Sequence, residues 1–114
     1  MKINELTIGC LVMHQNEIYT VRNILETSVY ATCQNKDANI PISELNGVQL
    51  TNDTLKKLGL IWHKKAWRVG YFKVTPLVFS THFYDCFGLN IQYVHQLQNL
   101  ASLHGVELNK KAFM

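Results

Sequence analysis

The residues able to do chemistry in this chain are five histidines (His14, His63, His82, His95 and His104), three cysteines (Cys10, Cys33 and Cys86) and eight carboxylates. No Cys-x-x-Cys, His-x-x-x-His or His-Glu-x-x-His spacing occurs, so no metal-ligand set is offered. His82 and Cys86 lie four apart, but the β-rich run ending at Tyr84 argues against a helix that would bring them to one face. A nucleophile needs a Cys or Ser beside a base that a third group orients. Cys86, beside Asp85 and near His82, is the best placed. Adjacent residues on an extended chain point to opposite faces, so this proximity is not a catalytic geometry. The six glycines are isolated and none opens a helix as a phosphate cradle. The expectation is a binding protein with no catalytic residues, cofactor or small-molecule substrate. A small Cys/His enzyme around Cys86 and His82 stands as an alternative.

Binding chemistry is better represented. Trp62-His63-Lys64-Lys65-Ala66-Trp67-Arg68, followed by Tyr71-Phe72-Lys73, interleaves cations with rings. Cations neutralise phosphates and release counterions, and aromatic faces stack on unpaired bases. Trp62, His63, Lys64, Lys65, Trp67, Arg68 and Lys73 are therefore the candidate nucleic-acid or partner-binding residues. The competing reading makes Trp62 and Trp67 core residues and the cations a solvated surface, or a patch for an acidic protein. The charge layout favours a partner. Residues 1–53 hold three basic and six acidic residues, whereas residues 54–84 hold six basic residues and no acid. A one-signed block within a chain of net charge +3 is the most partner-like feature of the sequence.

The elements that must position these residues follow from pattern. At 114 residues, 47% hydrophobic and 17% charged, the chain suits one soluble α+β domain. No run approaches the roughly 20 apolar residues of a membrane helix. The first residues lack the apolar core of a secretion signal and include Glu5. The odd, widely spaced cysteines point to a reducing, cytoplasmic setting. Residues 1–51 read as short strands of an SH3-like or partly open barrel: 8–14, 17–24, 29–33 and a short piece around Pro41, with 35–39 as a loop and Asn46-Gly47 as a turn. A short helix follows over 52–58, closed by Gly59. Lys64-Lys65 then makes a hairpin tip between a strand at 61–63 and one at 66–73, and a further strand spans 77–84. The strongest periodicity runs over 90–106, where Ile91, Tyr93, Val94, Leu97, Leu100, Ala101 and His104 recur on one helix face. Asn90 is the expected cap, Gly105 the closing residue and Val106 the apolar residue that folds back. That helix should lie across the mostly antiparallel sheet. Its other face, with His95, Asn99 and Ser102 and with Gln92, Gln96 and Gln98, should hydrogen-bond backbone or sheet edges. Residues 109–114 read as a loose tail.

Three stretches resemble a family of small proteins common in phage and prophage regions: the opening Lys2-Ile3-Asn4-Glu5-Leu6-Thr7-Ile8-Gly9, the middle Leu50-Thr51 through Leu55-Lys56-Lys57-Leu58-Gly59, and the closing Ile91-Gln92-Tyr93-Val94-His95-Gln96-Leu97-Gln98-Asn99-Leu100. The resemblance implies action inside a bacterial host and supplies no catalytic residues. Its most concrete implication is an anti-CRISPR-like inhibitor that binds a host RNA-guided nuclease, its guide RNA, or both. A phage assembly accessory is the alternative it leaves open.

Overall fold

In the computed structural model, which describes residues 1–77 and 83–113, the chain is α+β with two open antiparallel sheets of five strands each. The expected single sheet is thus divided in two. The first sheet comprises β1 (Leu11–His14), β2 (Glu17–Ile24), β3 (Ser28–Cys33), β4 (Lys36–Pro41) and β5 (Asn46–Gly47), in the order β4-β3-β2-β1-β5. The last short strand returns to the first, as the partly open barrel reading requires. The helix α1 (Asn52–Lys57) leads to the second sheet: β6 (Ile61–His63), β7 (Ala66–Val69), β8 (Phe72–Pro76), β9 (Tyr84–Cys86) and β10 (Leu89–Ile91), each paired with the next. The helix α2 (Val94–Leu103) follows.

Several local expectations are corrected. The loop read over 35–39 is β4, because Gln34 and Asn35 close a two-residue hairpin and Lys36 pairs with Cys33. Asn46-Gly47 is not a turn but a strand against Met13 and Val12. A Cβ on Gly47 would stand 2.5 Å from the Tyr93 ring, so this glycine permits close approach rather than chain reversal. The strand read over 66–73 is broken by a two-residue turn at Gly70-Tyr71, with Gly70 at φ +58. The strand read over 77–84 falls largely on residues 78–82, outside the described residues. Asn90 pairs with Asp85 in β10 instead of capping a helix. The helix starts after Tyr93, where the Gln96 side chain accepts from the Gln92 and Tyr93 N–H groups at 2.8 and 3.0 Å. Its end is as expected. Gly105 takes φ +69, and the Val106 N–H reaches the Ala101 carbonyl at 2.8 Å, the bond that defines a Schellman close. The stretch read as a loose tail is tied down, with the Asn109 N–H on the Leu58 carbonyl and Phe113 packed on the core.

Two hydrophobic clusters share β1. Leu11 enters the larger one, with α1, α2 and the inner face of the second sheet, while Val12 enters the smaller one inside the first sheet. Period-two alternation sends neighbours on one strand into different cores. On β2, Ile18 packs on the larger cluster and Tyr19 and Val21 on the smaller. A register shift between Val21 and Asn23 then turns Ile24 to the smaller side, which simple alternation does not foresee.

Candidate nucleic-acid interface

The hairpin β6–β7 forms where the sequence places it. Lys64 and Lys65 both take positive φ, +51 and +62, as a two-residue turn of mirror-image type demands. Side chains other than Gly, Asn and Asp occupy that region at a cost, so the tip stores local strain. Trp62 and Trp67 are directly paired across the strands, with ring centroids 5.5 Å apart and planes at 59°. Trp67 faces the core, and its indole N–H donates to Asn52 Oδ1 at 3.3 Å. The Tyr84 hydroxyl donates to the same oxygen at 3.2 Å. The first residue of α1 thus anchors the hairpin from beneath. Trp62, on the edge strand, stays 51% exposed.

The pairing sorts the candidate residues by face. Trp62 and Trp67 share one face with Val74, which is opposite Trp67. Ile61, His63, Arg68 and Lys73 share the other, because Ile61 pairs with Arg68 and Arg68 with Lys73. The predicted residues are therefore a tip, an outer face and one edge ring, with Trp67 withdrawn into the core as the competing reading allowed. Ile61, at 70% exposure, belongs to this surface too. It escaped the sequence reading because a lone isoleucine beside a tryptophan carries no signal.

The electrostatics of this surface are unrelieved. Arg68 and Lys73 are like charges at directly opposed positions, an arrangement that destabilises a sheet. The Arg68 Nε–H donates to the His63 carbonyl at 2.9 Å, which pins the guanidinium along the hairpin. Among the described residues, Lys64, Lys65, Arg68 and Lys73 make no ion pair. In the same basic block Lys57 is held by Asp53 at 3.1 Å on α1.

The other reactive groups sit differently. Cys86 is fully buried, and burial together with the Asp85 charge pushes its thiol up to about 11, the reverse of what an activated nucleophile needs. Its companion His82 lies outside the described residues. Burial also raises the Cys10 thiol. His95 was read as part of a polar, hydrogen-bonding face, and the outcome there is mixed. Gln98 and Asn99 bond the first half's backbone, whereas His95 is buried beside Tyr93 with its Nδ1 unpartnered. No group of three His, Cys, Asp or Glu side chains able to hold a metal converges among the described residues. No helix there is long and apolar enough to cross a membrane.

No protein family, curated protein or solved structure matches the chain.

Proposed function

We propose that this is a non-enzymatic binding protein whose β6–β8 surface engages single-stranded nucleic acid. The observation that carries the reading is the tip and outer face of the hairpin: Lys64, Lys65, Arg68 and Lys73, without ion pairs among the described residues, with the exposed ring of Trp62 at the edge of the opposite face. Cations in a row track a phosphate backbone. A ring with a free face accepts an unpaired base, and such stacking contributes about 1–3 kcal/mol per base. The like-charge opposition of Arg68 and Lys73 is relieved when an anion lies over it. The phage resemblance narrows the partner to the guide RNA of a host RNA-guided nuclease, an anti-CRISPR-like role in the bacterial cytoplasm.

The test is binding to a fluorescent single-stranded RNA across a salt series. Four phosphate contacts give a log–log salt slope of about −3 for single strands. Replacing Lys64, Lys65 and Arg68 with Glu should flatten the slope to about −1 or less, with the circular dichroism spectrum unchanged. A triple variant that keeps both the fold and the wild-type slope rules this surface out.

A further inference from the structure

Away from the hairpin, the loop at 7–10 and the C-terminal half of α2 enclose a cleft of about 500 Å³, within the range of small-ligand sites. Its lips are Ile8 and Leu103, 69% and 81% exposed. Lys110 lines it as well, and its Nζ donates to the Gly9 carbonyl at 3.0 Å. The Gln98 amide donates to the same carbonyl at 3.3 Å. Gly9 has φ +94, and a Cβ there would stand 3.1 Å from Lys110 Nζ, so the glycine lets the amine lie against the backbone. Lys110 is half-buried and has no acidic partner among the described residues. Glu107 borders the cleft as well and makes no ion pair there. An ammonium has three donors, and one is used here. A partly buried cation without a counter-ion, between two apolar lips, is half of an amphipathic recognition site.

We infer that this cleft binds a carboxylate carried on an aliphatic chain, with the acid group on Lys110 and the chain between Ile8 and Leu103. The two donors left on the single ammonium match the one charge and two oxygens of a carboxylate. The same chemistry is offered by a short free fatty acid and by the last residue of a peptide ending in leucine. The inference is independent of the nucleic-acid reading, since no residue is shared.

Backbone amide NMR titrations separate the sources. The probes are hexanoate, octanoate, and the peptide acetyl-Ala-Leu-Leu as free acid and as amide. The expected result is shifts confined to residues 7–10 and 98–110 with at least one carboxylate. For the free acids, affinity should rise about fifteenfold from hexanoate to octanoate, at roughly fourfold per methylene. The peptide amide should not bind. Lys110→Gln should weaken binding about tenfold or more without altering RNA binding. Leu103→Asp, on a side chain clear of the core, should weaken it as well, and it decides the matter if Lys110→Gln does not fold. Binding by octanoate alone assigns a small acid, and binding by the peptide acid alone assigns a chain end. Silence from every carboxylate at millimolar concentration overturns the inference, as does equal binding of acid and amide or a Leu103→Asp variant that binds like the wild type.

Discussion

In the first sheet, charged and polar side chains find partners among themselves. Lys36 meets Glu17 at 2.6 Å, which holds the Glu17 carboxyl below its ordinary range and raises the Lys36 ammonium. His14 meets Glu44 at 3.1 Å, the Tyr30 hydroxyl donates to Asp37 at 2.7 Å, and Arg22 Nε–H donates to Thr32 at 3.0 Å. In the second sheet, Arg68 and Lys73 oppose each other and the tip lysines stand clear. Strand number and pairing direction are the same in both sheets. The difference therefore lies in the side chains. The first sheet holds its ion pairs within its own half, and the cations of the second stand without ion pairs among the described residues.

The two halves share one larger core, and a cavity there has the largest expected effect. Leu97 is fully buried in the larger cluster, on the helix that touches both sheets. Leu97→Ala should cost about 2–5 kcal/mol by transfer and cavity terms. Both halves should unfold in one transition, checked by following the tryptophans of the second sheet and far-ultraviolet dichroism together. Two separated transitions would show that the sheets are independent. A smaller effect is expected at Gln98, whose Oε1 accepts from the Leu11 N–H at 2.8 Å and whose amide donates to the Gly9 carbonyl. Gln98→Leu strands the Leu11 N–H, while the Gly9 carbonyl keeps the Lys110 ammonium, and should cost about 1–3 kcal/mol in denaturant unfolding. Binding at the hairpin should be untouched by this change.

The parts legible from sequence are those fixed by local chemistry. Glu17–Ile24 alternates, Lys64-Lys65 lies between strand-formers, and Gly105-Val106 follows an amphipathic run, so each of these elements falls where it was read. The failures are long-range. Lys36–Pro41 is a polar edge strand whose existence depends on β3, and Gly47 is chosen for a ring 46 residues away. Asn90 caps well in isolation but is claimed by Asp85 across a hairpin. In the candidate surface, charge type and hairpin position could be read directly. The withdrawal of Trp67 could not, because only the bond to Asn52 and the core behind it distinguish two tryptophans of identical local context. Lys110 was hidden for the same reason, since a patternless tail gives no hint of the carbonyl it reaches.

The smallest effect sharpens the contrast from α2, where His95 borders the end of the first sheet. His95 is 2% exposed, stacked at 5.7 Å on Tyr93, and its Nδ1 has no hydrogen-bond partner. Burial lowers its pKa below the ordinary imidazole value, with the nearby Glu5 charge opposing that shift and the N-terminal ammonium reinforcing it. The unfolded chain then binds more protons than the folded one below pH about 6.5. The contribution of a neutral His95 is therefore complete above that pH and is lost as pH falls toward the folded pKa. Its slope is at most about 1.4 kcal/mol per pH unit. His95→Phe keeps a flat ring for Tyr93 and removes the proton-binding site. Denaturant unfolding between pH 7 and pH 5 should show a shallower loss of stability in the variant than in the wild type. An unchanged slope would mean that His95 binds its proton equally well in the folded and unfolded chains.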